Sequence, residues 1–449
     1  MRKRKSTLIL CLLIIFGTEG IAQKNNESAT LYSPSKESGG YSIAITEIMY
    51  HADSSIQSQD WVELYNYGGA AVNISGWKLK DQNILNTYTI PGGTYLNPGE
   101  YLVIAQRLDT FQMIYPEVSN VIGSFAFGLN NTSDKVRLLD NSNNTVVEIN
   151  YIDSMPWPSA ADGIGPSLQI KNLDAIFDDP ANWFPGCVGG TPGSGYVPCN
   201  YDIIVSEINY NSAPFFLVGD WIELLNRTNS AINISGWQFR DRNANIFTFP
   251  TGTILESNAR LVVSDSLDAI TSMFSELTNV IGEFDFGLSN GGDAVLLYNA
   301  DIVLQYSVRF NDKLPWPEDA DGDGYTIEFT EEGDNPNIAT NWIAGCPLGS
   351  PGIPFTLPCP TLHIHETNAS DLQVFPNPFS DYLIIELSRF SRDKIQYCFI
   401  TDMGGRAIKH FELSNNERIM WGETVASGIY ALHVITESGM HYTQKIIRN

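Results

Sequence analysis

The chain contains a long internal duplication. The run Asp-Trp-Val-Glu-Leu at 60–64 returns as Asp-Trp-Ile-Glu-Leu at 220–224, and the run Asn-Ile-Ser-Gly-Trp at 73–77 returns unchanged at 233–237. The correspondence continues outward on both sides in register and includes a Pro-Trp-Pro segment at 156–158 that returns at 315–317. Solenoid repeats have periods of about 20–50 residues, so a period of this length indicates a duplicated domain.

Each copy predicts a β-domain. Aromatic and β-branched residues alternate with acidic ones, which is typical of strands with one buried face. Strands of the first copy are predicted at 43–50, 61–66, 77–80, 101–105, 135–139, 146–151 and 167–170. Helical spacing predicts one short helix at 108–115 and its counterpart at 267–274. Many short strands with frequent turns favour a sandwich, so the predicted fold class is all-β.

The first 22 residues predict a secretory signal peptide. A basic start at 2–5 precedes an apolar run at 8–16 and a Gly-Ile-Ala cleavage site at 20–22. A membrane anchor is the alternative, but the run is shorter than the ~20 residues of a spanning helix. No other segment of the mature chain is apolar enough to cross a membrane. We therefore expect an exported protein.

The predicted domain division follows the repeat and the composition. After the signal peptide, the predicted parts are a flexible lead-in at 23–40, a first repeat at 41–199, a second repeat at 200–359, a linker at 360–371 and a smaller β-sandwich at 372–449. The third part shares no pattern with the repeats. It is therefore expected to have a separate role.

The charge of the chain excludes one class of partner. Its 449 residues include 26 basic and 51 acidic side chains, a net charge of −25. Binding to a phosphate backbone requires Lys and Arg to displace counterions, so neither nucleic acid nor an anionic membrane is an expected partner. Such acidity suits solubility outside the cell and binding of divalent cations.

Four cysteines occupy matching places in the two repeats. They are Cys187, Cys199, Cys346 and Cys359. In an oxidising compartment this pattern predicts one disulfide in each repeat, Cys187 with Cys199 and Cys346 with Cys359. A zinc site is the alternative, but neither spacing resembles the short cysteine pairs of zinc modules. Cys398 is expected to be a buried small hydrophobe of the third domain.

The repeats lack the residues of most known catalytic sites. The second repeat has no histidine and the first has only His51, so a histidine-based hydrolase is not expected. No phosphate loop, dinucleotide fingerprint or His-Glu-x-x-His motif is present, and no catalytic residue or cofactor is predicted.

The acidic residues of the duplicated motif leave two interpretations open. Asp60, Glu63, Glu47 and Asp81 contain enough carboxylates for glycoside hydrolysis. The favoured interpretation is structural, with Glu63 and Glu223 accepting backbone or tryptophan N–H bonds. The core is then expected to contain Trp61, Trp77, Trp221 and Trp237. Exposed aromatic residues that bind sugar are a further alternative.

One acidic loop has the spacing of a calcium site. Asp319, Asp321 and Asp323 follow the Asp-x-Asp-x-Asp-Gly pattern, whose alternate carboxylates converge on one ion. The glutamate expected at the twelfth position is replaced by Thr330, and the first repeat keeps only Asp162. An acidic turn with permissive glycines is therefore favoured over calcium binding.

Both repeats resemble the lamin tail domain. The resemblance rests on the Asp-Trp-Val/Ile-Glu-Leu and Ile-Ser-Gly-Trp runs and on Leu-Ser-Asn-Gly-Gly-Asp-x-Val-x-Leu, which is complete only in the second copy at 288–297. It implies tandem immunoglobulin-like β-sandwiches of a type that bacteria also use outside the cell. The first copy lacks the glycine pair of that last motif, so its turn is expected to differ.

The third domain resembles the type A C-terminal sorting domain of the type IX secretion system. The residues that carry this resemblance, and the implied sorting signal, are Pro376, Asn377, Pro378, Gly404, Gly428, Tyr430 and Lys445. The resemblance implies that the type IX machinery is a partner. It also implies transport through the periplasm to the outer surface of a Gram-negative bacterium or into the medium.

Three functions are consistent with these features. The leading hypothesis is a non-enzymatic surface or released protein whose paired sandwiches bind an unidentified protein or glycan. The alternatives are a carboxylate-based polysaccharide hydrolase and a structural spacer. A hydrolase needs an open cleft with two carboxyl groups about 5–10 Å apart.

Overall fold

The protein is built mainly of β-strands. A computed structural model describes residues 40–213, 218–330, 333–356, 372–387, 395–402, 407–411, 418–422, 425–436 and 441–449. The predicted signal peptide, most of the lead-in and the linker at 360–371 lie outside these residues. No helix in the described ranges is long and apolar enough to span a membrane.

The first repeat is a sandwich of two sheets. Its elements are β1 (Ile43–Met49), β2 (Trp61–Asn66), β3 (Val72–Asn73), β4 (Lys78–Lys80), β5 (Tyr88–Thr89), β6 (Tyr95–Leu96), β7 (Tyr101–Ala105), α1 (Leu108–Ile114), β8 (Val121–Gly123), β9 (Ser133–Leu139), β10 (Thr145–Ile152), β11 (Pro166–Ile170) and β12 (Trp183–Val188). The larger sheet has the order β12-β11-β1-β2-β7-β8 and the smaller β10-β9-β4-β5, while β3 pairs with β6. The β7–β8 pair is parallel. The seven predicted strands are all present, and the structure adds β12 and several strands of two or three residues.

The second repeat has the same topology. Its elements are β13 (Ile203–Asn209), β14 (Trp221–Asn226), β15 (Ile232–Asn233), β16 (Gln238–Arg240), β17 (Ile246–Thr248), β18 (Ile254–Leu255), β19 (Arg260–Ser264), α2 (Leu267–Met273), β20 (Val280–Gly282), β21 (Ala294–Tyr298), β22 (Leu304–Arg309), β23 (Tyr325–Phe329) and β24 (Trp342–Pro347). Short 3-10 turns lie at Ser159–Ala161, Pro180–Asn182, Glu318–Ala320 and Ala339–Asn341. The sheets have the orders β24-β23-β13-β14-β19-β20 and β22-β21-β16-β17, so each strand has a counterpart in the first repeat.

The C-terminal part forms a third sandwich. Its described strands are β25 (Gln373–Phe375), β26 (Leu383–Glu386), β27 (Ile395–Asp402), β28 (Ala407–His410), β29 (Arg418–Trp421), β30 (Gly428–Thr436) and β31 (His441–Arg448). They form the sheets β25-β26-β29 and β28-β27-β30-β31. Trp421, Leu432 and Cys398 belong to the core between them, and Cys398 is a free buried thiol.

The tryptophans of the duplicated motif occupy two different cores. Trp77 lies in the sandwich core of the first repeat with Val62 and Leu64, and Trp237 packs partly buried against the equivalent core. Trp61 and Trp221 lie on the opposite face of the larger sheet, in separate clusters under α1 and α2. Successive strand residues point to opposite faces, so a tryptophan one position before Val62 cannot share its core. Trp61 and Trp221 are therefore buried as expected, but outside the core that contains Trp77 or its counterpart.

The repeats pack directly against each other. Ala294, Leu296 and Leu304 on the outer face of the smaller second-repeat sheet join Ala160 and Ile164 of the first repeat in one buried cluster. Polar contacts fix the same interface. Tyr298 Oη donates to Asp53 Oδ2 at 2.7 Å, Leu304 N to Ser55 Oγ at 2.9 Å and Asn335 Nδ2 to Pro185 O at 2.7 Å. The two repeats are therefore in direct contact, although each has its own sandwich core.

The predicted disulfide of the first repeat is confirmed. Cys187 is bonded to Cys199, with their Cα atoms 5.4 Å apart. Cys346, its counterpart in the second repeat, is also disulfide-bonded. Its predicted partner Cys359 lies outside the described residues, so that pairing stays a prediction.

Candidate functional site

Glu47 and Glu63 face each other on the outer side of the larger sheet. They are directly opposite on β1 and β2, and both side chains are almost fully buried. Residues 189–193, which we call the strap, cross over them after β12. Thr191 N donates to Glu47 Oε1 at 2.9 Å and Gly193 N to Glu63 Oε2 at 2.6 Å. The two carboxylates therefore hold the end of the repeat onto its sheet.

The second repeat has the same arrangement. Ser350 N donates to Glu207 Oε1 at 2.9 Å and Gly352 N to Glu223 Oε2 at 2.6 Å, so residues 348–352 form the second strap. Glu328 extends this row of acids, and Arg260 pairs with Glu223. The expectation that Glu63 and Glu223 accept backbone N–H bonds is confirmed. Tryptophan N–H groups do not take part, since Trp61 Nε1 and Trp221 Nε1 have no partner among the described atoms.

Only glycine fits where each strap crosses its acid. Gly190 has φ +73°, and a Cβ there would lie 2.3 Å from Glu47 Oε1 and 3.0 Å from the Trp61 ring. The equivalent atom at Gly349 would lie 2.6 Å from Glu207 Oε1. The close approach seals both acid pairs from solvent. They are thus in no position to act on an extended polysaccharide.

Burial raises the pKa of these carboxyl groups. Desolvation is the main cause at Glu47 and Glu63, and the charge of Glu47 raises the pKa of Glu63 further. In the second repeat, desolvation and the neighbouring acids Glu328 and Glu223 raise the pKa of Glu207. Each pair therefore binds a proton more tightly in the folded chain than in the unfolded chain.

The first repeat is expected to lose stability as the pH rises. Burial raises the pKa of Glu47 to about 7 and that of Glu63 to about 9, from an ordinary 4.5. Between about pH 4.5 and pH 9 the folded state therefore holds more protons than the unfolded state. The free energy of unfolding falls as the pH rises through this range. Glu63→Gln removes the titrating group and keeps an acceptor for Gly193 N. It is expected to raise the free energy of unfolding at pH 8 by about 1–2 kcal/mol.

Urea unfolding at pH 5 and pH 8 measures this effect. Glu117→Gln, at an exposed position, is the matched control and should keep the wild-type pH dependence. If Glu63→Gln and wild type lose the same stability between the two pH values, Glu63 is not the titrating group.

The other acids of the duplicated motif fix loops. Asp60 Oδ2 accepts from Leu129 N at 2.7 Å, and Asp220 Oδ2 accepts from Leu288 N at 2.6 Å. Asp81 accepts from Asn83 N at 2.9 Å. The four candidate acids of the hydrolase hypothesis thus all bond to the backbone or to buried neighbours.

Asp319, Asp321 and Asp323 lie exposed on the turn before β23. Asp321 Oδ1 accepts from Asn211 Nδ2 at 2.5 Å, and in the first repeat His51 Nδ1 contacts Asp162 Oδ1 at 2.6 Å at the equivalent place. Both turns are therefore tied to the loop after the first strand of their repeat. Within the described ranges, no three His, Cys, Asp or Glu side chains are grouped to hold a metal. Calcium binding stays a prediction.

An open groove of 1040 Å³ lies between the two repeats. The two Pro-Trp-Pro segments of the duplication, at 156–158 and 315–317, line it together. Trp157 and Trp316 are buried in its walls, whereas Met155 and Leu314 at its rim are 68% and 73% exposed. The duplication shows that these two segments correspond in sequence. It does not show that they lie together in space, because that depends on how the repeats pack.

The C-terminal sandwich uses part of the predicted sorting signal to hold its last strand. Asn377 Nδ2 donates to Lys445 O at 2.7 Å, and Ile447 N donates to Asn377 Oδ1 at 2.8 Å. Tyr430 Oη donates to Ala426 O at 2.6 Å. Pro376 and Pro378 flank the asparagine and Gly428 begins β30, whereas Gly404 lies outside the described residues.

Family comparison matches residues 36–153 and 198–312 to the Lamin Tail Domain, which together make up more than half of the chain. The chain belongs to the lamin tail domain family. Residues 373–449 match the Secretion system C-terminal sorting domain. Both resemblances drawn from the sequence are confirmed. The sorting domain marks the protein for type IX export to the cell surface or the extracellular space, and all domains found are of non-catalytic types.

Solved structures give only weak similarity to this lamin tail protein. A DUF4876 family protein from Bacteroides thetaiotaomicron is 11% identical, with 66% of this chain and 95% of that chain covered and a TM-score of 0.22. The FN1–FN3 domains of chicken CNTN1 are 10% identical, with 91% and 97% covered and a TM-score of 0.15. A search of curated proteins found no match. These similarities carry no functional argument.

The matched lamin tail segments end before the last two strands of each repeat. The unmatched residues 154–197 contain β11, β12, the first strap and the first Pro-Trp-Pro segment. The unmatched residues 313–356 contain their counterparts, with β23 and β24 as the two strands. The groove is therefore lined in large part by residues that the family match does not include.

Proposed function

We propose that the two lamin tail repeats bind a protein or glycan partner, without catalysis, on the outer surface of a Gram-negative bacterium or in its medium. The signal peptide would direct the chain to the periplasm. The type IX machinery would then recognise the sorting domain, at a surface that includes Pro376, Asn377 and Lys445. In this proposal the first repeat ends at residue 199, the second repeat at residue 359 and the linker at residue 371.

The open groove between the repeats carries the proposal. It combines exposed aliphatic side chains with a volume above the ~300–1,000 Å³ typical of small-molecule pockets. The motif carboxylates, in contrast, are covered by the straps or bonded to loops. Glycoside hydrolysis needs two carboxyl groups that reach the substrate. Binding therefore accounts for the accessible surface better than hydrolysis does.

Binding of the exported chain to glycan arrays and to fractionated envelope extracts tests the proposal. Saturable binding to one component is the expected result. Release of reducing sugar ends from an array polysaccharide would instead support a hydrolase. Absence of saturable binding to any fraction would leave the structural spacer as the better interpretation, with the packed interface between repeats as its rigid element.

A further inference from the structure

We propose that the groove between the lamin tail repeats binds an extended acidic peptide of a partner protein. Arg242 and Arg309 would pair with its carboxylates, and Met155 and Leu314 would contact its apolar side chains. This inference rests on the proposed binding function and names the site and the class of partner. It comes from four properties of the groove: its charge, its two arginines, its exposed side chains and its fixed walls.

The charge of the groove is opposite to that of the protein. The chain carries −25 overall, yet the groove is lined by four basic side chains and two acidic ones. The basic residues are Lys171, Arg242, Arg309 and Lys313, and the acidic ones are Asp293 and Asp334. The Asp293 carboxylate is buried and already accepts from Arg242 N, Ala294 N and Ser289 N. The groove thus favours an anionic ligand by charge complementarity.

Two arginines lie close enough in the groove to act on each other. Both line the groove, and burial, followed by the charge of Arg242, lowers the pKa of Arg309. Arg309 Nη1 donates to Ser159 O and forms an ion pair with Asp162 Oδ2 at 3.7 Å, so this arginine also joins the two repeats. Arg242 is exposed. A guanidinium group can bind a carboxylate with two hydrogen bonds, so the exposed Arg242 suits a carboxylate ligand and the charge of Arg309 adds to the attraction.

The exposed side chains of the groove favour a peptide over a sugar. Trp157, Trp183 and Trp316 are only 4%, 2% and 7% exposed, so their faces are not free to stack on a sugar ring. The most exposed apolar side chains of the lining are Met155 and Leu314, each followed by an exposed proline. The half-buried rings of Phe184 and Tyr196 also line the groove, where they pack edge-on against each other. Flexible aliphatic groups such as those of Met155 and Leu314 pack against apolar side chains. An acidic peptide with interspersed apolar residues complements both the charge and this surface.

The walls of the groove are fixed before any ligand arrives. One wall belongs to each repeat, and the hydrogen bonds from Tyr298 to Asp53 and from Asn335 to Pro185 hold the repeats together nearby. A preformed site does not have to order its own side chains on binding, which favours affinity.

Fluorescence anisotropy with the exported chain tests the proposal. The probe is a fluorescein-labelled peptide in which glutamate and leucine alternate, and the comparison probes are its glutamine–leucine counterpart and a uronic-acid oligosaccharide. The acidic peptide should bind most tightly, and more weakly at high salt. Arg242→Glu should weaken its binding about tenfold or more. Arg227→Glu, an exposed arginine outside the groove in the same repeat, should leave its binding unchanged.

The outcomes separate this inference from the proposed function. Equal binding of the glutamine peptide, tighter binding of the oligosaccharide, or equal loss with Arg242→Glu and Arg227→Glu would overturn the acidic-peptide site. If Arg242→Glu still binds the envelope component that wild type binds, the groove is wrong while the binding function stands. If neither peptide nor any envelope component binds, both fail.

Discussion

Deletion of residues 370–449 is expected to remove nearly all of the protein from the cell surface and medium while leaving both lamin tail repeats folded. The sandwich cores of the repeats contain no residue of the sorting domain, so they do not depend on it. Among the described residues, a small buried cluster of Ala213, Phe399 and Ile435 joins the second repeat to the third sandwich. The truncated chain should therefore be stable and remain in the periplasm.

Immunoblots of periplasm, surface and medium measure the effect. Circular dichroism of the purified truncated chain checks that the repeats fold. The complementary experiment fuses residues 372–449 to a fluorescent protein that carries a signal peptide. A type IX-competent host should transport this fusion protein out of the cell. Normal surface or medium levels of the truncated chain would contradict the sorting role.

Replacement of Trp77 by alanine is expected to lower the free energy of unfolding of the first repeat by about 3–5 kcal/mol. Trp77 is 2% exposed and packs edge-on to Tyr41, so its loss leaves a large cavity in the sandwich core. The second repeat has its own core and should stay folded when the first one melts. Because Trp237 is only partly buried, Trp237→Ala should cost its repeat less.

Calorimetry distinguishes these outcomes. Trp77→Ala should separate an early transition of the first repeat from that of the second, whereas Tyr95→Ala, at a position that is 56% exposed, should shift neither. One transition that moves as a whole would mean that the contact between repeats, and not the separate cores, sets the unit of unfolding.

Local sequence patterns predicted most of the fold but not the relations between distant parts. The alternation at 61–66 correctly predicts β2, and the spacing at 108–115 correctly predicts α1. The burial of Trp61 and Glu63 on the outer face was not predicted, because it requires a strap that arrives well over a hundred residues later in the chain. Half-buried strands show which residues share a face, but not what covers that face.

The candidate sites show the same limit. The cysteine symmetry was sufficient to predict the Cys187–Cys199 bond, since the partners are twelve residues apart. The groove depends on the contact between the repeats, in which Leu296 on the outer face of β21 is buried with Ala160 and Ile164 of the first repeat. No periodicity within one copy carries that information. The signal that was available, one Pro-Trp-Pro segment in each copy, became meaningful only with the interface.

The position of β1 in the middle of its sheet has a consequence for how the chain reaches its folded state. Glu47 pairs with Glu63 on the next strand but also with Gln169 near the end of the repeat, and β13 is placed in the same way. Pairing between residues far apart in sequence makes folding slow. In a chain that crosses a membrane with its N-terminus first, β1 emerges long before β11, the strand that pairs with one of its edges. The compartment that receives the chain must therefore keep that open edge from pairing with other strands until the whole repeat has arrived.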